Sequence, residues 1–124
     1  GGGLSSVSRG VGMETARRGV AGGEKLEEEP ELGAIGAAAF LHRAIPRYPP
    51  VARRLGREGT VTLRLAIDAH GALRNVEVLR GAGYGFTEAA LDALERSTFR
   101  PAVRGGRPVD SRAVLRVVFA LRNH

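Results

Sequence analysis

No cysteine occurs in this chain, which excludes disulfide stapling and thiolate metal sites. No stretch approaches the ~20 apolar residues that cross a bilayer. A start Met, a charged segment and an apolar segment in signal-peptide order are missing as well. Lysine is nearly absent: only one of the nineteen cations is a lysine, Lys25. The histidines are few and scattered, with His42 in a tail, His70 in a turn and His124 at the terminus. They have no ligand spacing and no carboxylate to orient them. No serine or aspartate is placed as a nucleophile beside a base. These gaps predict a chain with no metal site, no cofactor and no enzymatic activity.

What is present suits one domain with a modest core and a tail: 124 residues, 43% hydrophobic and 26% charged. The net charge of +6 is uneven. Residues 1–45 carry five basic and six acidic side chains, whereas residues 46–124 carry fourteen arginines and seven acids. High arginine with high Gly and Ala is expected of a GC-rich genome. The alternative is a basic face that attracts acidic partners or nucleic acid. The chain opens Gly1-Gly2-Gly3, and it is expected to be a piece of something longer, with any anchor or export signal upstream.

Residues 1–44 read as a flexible linker rich in Gly and Glu, because so few large apolar residues cannot offset an ordering entropy of ~1–2 kcal/mol per residue. Within it the acidic run from Glu24 to Glu31 reads as solvated spacer. A short helix is expected over 34–45, with Ile35, Ala38, Leu41 and Ile45 on one side and Pro46 ending it. The domain proper is expected over 45–124.

Pro49 and Pro50 suit the first turn of a helix. Val51, Ala52 and Leu55 form its apolar stripe, and Gly59 is a plausible stop. Thr60 to Asp68 then alternates strictly, with Val61, Leu63, Leu65 and Ile67 to one side, the mark of a half-buried strand. Asp68-Ala69-His70-Gly71 reads as a hairpin turn. A second strand places Val76 and Val78 inward, with Leu73 out of phase, which predicts a bulge. Thr87 is the expected N-cap of a second helix that turns Ala90, Leu91 and Leu94 inward. Gly105-Gly106-Arg107-Pro108 reads as a loop. A last strand, Arg112 to Leu121, sets Ala113, Leu115, Val117, Phe119 and Leu121 on one face.

The Gly81-x-Gly83-x-Gly85 run follows a strand and precedes a helix, as nucleotide loops do. Phe86 stands where the dinucleotide pattern needs a glycine, and the parallel βαβ neighbourhood is missing.

The predicted class is α+β in the order αββαβ: a three-stranded antiparallel sheet of order 2-1-3 with both helices on one face. The last strand is then an edge, long and free of proline, with Arg112, Arg116 and Arg122 as its guard. The competing expectation is an edge covered by the N-terminal tail or by a second copy of the chain.

Tyr48-Pro49, Ala52, Gly59-Thr60-Val61, Gly71, Val76, Val78, Ala90-Leu91, Phe99-Arg100-Pro101-Ala102, Gly106-Arg107-Pro108-Val109 and Phe119, in this order and spacing, resemble the C-terminal domain of TonB energy transducers. The resemblance covers about 48–121. It implies a structural motif at Tyr48, Pro49, Gly59, Gly71, Phe99 and Pro101. It also implies a periplasmic module of a Gram-negative bacterium, anchored upstream in the inner membrane and coupled there to a proton-channel motor. The partner it implies is an outer-membrane TonB-dependent transporter, whose TonB box peptide is gripped by β-strand addition. Departures are Arg80-Gly81-Ala82 where the family often has Ser-Ser-Gly, Phe86-Thr87 where it often has Leu-Asp, and Ser97 where a tryptophan is common. Ile35, Phe40 or Leu41 is expected to fill the space of that ring.

Strand addition relies on backbone groups. The expected partner-binding residues are therefore Arg112, Ala113, Val114, Leu115, Arg116, Val117, Val118, Phe119 and Ala120. Val114, Arg116 and Val118 would touch the guest's side chains. Ile45-Pro46-Arg47 occupies the segment that the resemblance places near the bound box. Tyr48 is read as a packing residue rather than a ligand contact. Two other functions compete: a TolA-like or motility-associated envelope module that binds another protein, and a nucleic-acid binder using Arg64, Arg74 and Arg80. The last lacks an aromatic pair for stacking bases.

Overall fold

The computed structural model describes residues 29–122. Residues 1–28 and 123–124, His124 among them, lie outside the described residues, and with them most of the acidic run. In chain order the elements are β1 (Ala39–His42), α1 (Pro50–Leu55), β2 (Gly59–Ile67), β3 (Leu73–Arg80), α2 (Phe86–Glu95), β4 (Thr98–Arg100), β5 (Ala102–Arg104), β6 (Arg107–Val109) and β7 (Ser111–Phe119).

β2 alternates buried and half-exposed residues along its length because every second side chain is apolar. It is the centre of a three-stranded sheet, antiparallel to β3 on one side and β7 on the other. Its register with β7 is unbroken, from Gly59 opposite Phe119 to Ile67 opposite Ser111. With β3 the register slips at both ends, and the slip at Ile67 is where Leu73 falls out of phase. Val61, Leu63, Leu65 and Ile67 are all but fully buried. Each contributes about 1.5–3 kcal/mol of apolar burial. β7 faces them with Ala113, Leu115, Val117 and Phe119, all buried.

α2 closes the core with Phe86, Ala90 and Leu94, and adds Ala93. Thr87 does not cap this helix: Gly85 stands at the N-cap position, and Thr87 instead exchanges 2.9 Å hydrogen bonds with the backbone of Ala82, as acceptor from its N–H and donor to its C=O. The Thr87 side chain thus pins the chain leaving β3 to the first turn of α2. α1 begins as expected, with Pro50 in its first turn. It ends earlier, at Gly56 in the left-handed region (φ 70°), and Gly59 instead opens β2. Of the expected apolar stripe only Ala52 is buried; Val51 and Leu55 are largely exposed.

The N-terminal segment overturns two expectations. Residues 34–45 hold no helix: turns around Gly33 and Gly36 lead into β1, which pairs antiparallel with β4, Phe40 opposite Phe99. The segment from 29 to 44 is not free linker either. Ala38 is fully buried, and Leu32 and Phe40 pack against the core. The Phe40 ring stacks on Phe99 at 5.1 Å, while Ile35 and Leu41 stay exposed. Ser97, in the tryptophan position, accepts a 2.9 Å hydrogen bond from the Ala44 amide and donates one of 2.7 Å to the Ala93 carbonyl. The expected loop at Gly105–Pro108 is a tight hairpin between β5 and β6, turned by Gly105 and Gly106 at positive φ.

Candidate functional site

β7 is bonded to β2 along one side, and its other side is the sheet edge. The strand runs one residue earlier than expected and stops at Phe119, so Ala120 lies beyond its end. Antiparallel pairing turns alternate residues toward the partner strand. Val114 directs its N–H and C=O away from β2, and therefore Arg112, Arg116 and Val118 do so as well. The side chains of these residues share the sheet face opposite the core. Val118 is 66% exposed and Arg116 is exposed too.

This edge is occupied at one place. The Val114 amide donates to the Pro30 carbonyl at 2.9 Å, and the Leu32 amide donates to the Val114 carbonyl at 2.8 Å. Together they form a single parallel bridge between Glu31 and Val114. The expectation of an edge wholly vacant within its own molecule is thus corrected: the tail caps it at Val114. Among the described residues, the outward backbone of Arg116 and Val118 meets no partner.

Charge pairing accompanies the bridge. Arg64 Nε donates to Glu29 at 2.8 Å, and Arg64 Nη1 donates to Glu77 at 2.5 Å. The Arg64 and Glu29 side chains are only 14% and 17% exposed. Arg116 meets Glu31 at 2.5 Å, and Arg112 lies 3.9 Å from Glu29, both in more open settings. Pairs between solvated side chains contribute ~0–1 kcal/mol. The half-buried Arg64–Glu29 contact therefore fixes the position of this segment more than the other two. Arg64 is engaged on both sides, and Arg74 has Asp68 3.9 Å away. Two of the three arginines of the nucleic-acid alternative are thus paired.

The far end of β7 rests on an aromatic trio. Phe119 packs on Phe86 at 4.8 Å, and the Tyr48 ring stands edge-on to both at 5.6 and 5.8 Å. The Tyr48 hydroxyl donates to the Arg57 carbonyl, and Arg53 lies over its ring at 5.0 Å. Partial burial pushes the Tyr48 phenol above its usual pKa and the Glu58 carboxylate adds to this, with Arg53 opposing. Glu58 also accepts a 2.8 Å bond from the Leu121 amide, fastening the chain beyond β7.

Ile45-Pro46-Arg47 lies outside both helix and strand. Ile45 is 82% exposed, and its carbonyl accepts a 3.4 Å bond from Arg96. Ile45 and Arg47 line a shallow groove with Pro49 and the outer side of α2. They do not line β7, which this segment approaches through Tyr48. Gly59 and Gly71 are held by close neighbours: a Cβ at Gly59 would meet the Phe86 ring at 2.9 Å, and one at Gly71 the Phe99 carbonyl at 2.5 Å. Phe99 is buried, and Pro101 abuts Gly71. The residues that sequence reasoning missed are Glu29, Pro30, Glu31 and Leu32.

Residues 44–121 match the family described as Gram-negative bacterial TonB protein C-terminal. The chain belongs to this family. It is 36% identical over 85 residues to protein tonB2 of Pseudomonas aeruginosa, covering 68% of this chain and 32% of that one. It is 35% identical over 77 residues to protein TonB of Vibrio cholerae, covering 61% and 32%. A solution NMR structure of the Pseudomonas aeruginosa TonB CTD has the same fold, with a TM-score of 0.60 and 25% identity, covering 74% of this chain and 94% of that one. The TonB-family chain described here spans about a third of the length of the curated relatives it matches.

Proposed function

We propose that this TonB C-terminal domain works in the periplasm as the terminal module of an energy transducer, and that it takes up the TonB box of an outer-membrane transporter as an added strand on β7. A motor in the inner membrane, reached through an upstream anchor, would supply the force. The observation that carries this reading is the outward backbone of Arg116 and Val118 in the proline-free strand β7, which meets no partner among the described residues.

Strand addition needs little side-chain chemistry. Each backbone hydrogen bond contributes ~0.5–1.5 kcal/mol net, so a guest running along Arg112–Val118 would be held at modest affinity. Such a strand would be loaded through a sheet whose other two members are joined by a tight turn. Asp68 accepts 2.9 Å bonds from the His70 and Ala72 amides there, and the Ala72 bond leads in holding its carboxyl below the usual range.

Titration of the labelled domain with peptides from transporter N-termini tests the reading. The expected result is amide shifts concentrated along Arg112–Ala120. Saturable binding that leaves these amides unmoved would overturn the β7 site and favour a TolA-like module with a different partner.

A further inference from the structure

Glu29 and Glu31 are two apart on either side of Pro30, and both carboxylates lie against the outward face of the sheet. Arg64, Arg112 and Arg116 rise from the outward face of the sheet to meet them. On either side of Glu31, the Pro30 carbonyl and the Leu32 amide hold the outward N–H and C=O of Val114. We propose that Glu29–Leu32 is a resident occupant of the β7 edge, and that the guest which displaces it is an extended acidic peptide with two carboxylates two residues apart. This rests on the reading of β7 as the docking strand.

Displacement follows from valence. A guest pairing along Arg112–Val118 needs the Val114 N–H and C=O, which are bonded to Pro30 and Leu32. The resident segment is tethered to the domain, so it competes at any protein concentration and lowers the apparent affinity by the fraction of molecules in which the edge is open. Selection for acid follows from Arg64. Its guanidinium is largely removed from solvent and divides its donors between Glu29 and Glu77. A neutral guest that removes Glu29 leaves the Arg64 Nε donor without its carboxylate. A guest carboxylate in the Glu29 position restores it, and a second in the Glu31 position reaches Arg116. Charge complementarity of this kind sets partner choice and association rate.

The probe is a fluorescent synthetic peptide copying residues 26–34, with a second peptide in which every Glu is replaced by Gln. Both are titrated into the full chain and into its E29Q/E31Q variant, with exchange of the Val114 amide followed in parallel. The acidic peptide is expected to bind the variant about tenfold more tightly than the unmodified chain, as the competent fraction rises. The Val114 amide should exchange faster in the variant. The Gln peptide should bind more weakly than the acidic one, and Arg116→Gln should narrow that difference. Equal affinity for the chain and the variant, with an unchanged Val114 amide, overturns the resident-occupant claim; equal affinity for the two peptides overturns the acidic selection. Transporter peptides that bind β7 equally in chain and variant overturn this inference and leave the proposed function standing. Binding of the acidic copy, with no transporter peptide bound by either protein, overturns the proposed function and leaves this inference.

Discussion

Gly71 carries two constraints at once. Its φ of 87° lies where an L side chain is strained, and the Phe99 carbonyl sits 2.5 Å from where a Cβ would be. The close neighbour is backbone, so it cannot swing aside as a side-chain tip would. Gly71→Ala is expected to cost about 2–4 kcal/mol, combining left-handed strain with displacement of β4. Urea unfolding of the variant measures this, and a loss under 1 kcal/mol, roughly the worth of the φ alone, would mean that Phe99 yields without cost. The sequence makes Gly71 legible as a turn residue, since Asp-Ala-His-Gly between two apolar runs is a turn signal. It does not reveal the carbonyl above it, because Phe99 approaches from a strand formed after α2. Thr87 shows the same limit. Its hydroxyl suits a cap, and only the path of Gly81–Gly85 decides that it bonds Ala82 instead.

Elements were readable in proportion to their own periodicity. β2, β7 and α2 each bury a face that repeats at two or at 3.6 residues, β3 buries Val76 and half-buries Val78, and each lies close to its expected place. β1, β4, β5 and β6 are three or four residues long, too short for any period to register. They exist through pairing with distant chain. β1 is the consequential case: Phe40 stacks on Phe99 and Ala38 is fully buried, so a segment that reads as linker closes one end of the core. Phe40→Ala is expected to lower stability by about 1–2 kcal/mol, less than the 3–5 of a fully buried ring because Phe40 keeps one side in solvent under Arg43. Phe40→Leu should recover most of it. The denaturant midpoint of the two variants checks this; an unchanged midpoint in the alanine variant would show β1 to be an ornament on a core complete without it.

At the scale of the whole molecule, the candidate site joins chain segments that sequence distance hides. Arg64 meets Glu29 across 35 residues and Arg116 meets Glu31 across 85. The edge strand could be read from its own alternation, but an acidic run gives no sign of which arginines it will find. A chain beginning at Ala44 keeps the whole family match and loses both β1 and the strap on Val114. Its β7 edge then offers four consecutive outward residues, Arg112, Val114, Arg116 and Val118, to any strand. A second copy fits well. Antiparallel pairing about Leu115 sets Val114 against Arg116 and Arg112 against Val118, so no arginine stands directly opposite another. Every outward N–H and C=O of the four finds a partner across the two-fold axis. The shortened chain is expected to dimerise with rising concentration in sedimentation velocity, while the full chain stays monomeric over the same range. Val114→Lys in the shortened chain should abolish the dimer by placing lysine opposite Arg116. A shortened chain that sediments as a monomer throughout would mean that the arginines guard this edge unaided, and that the strap is not what keeps it single.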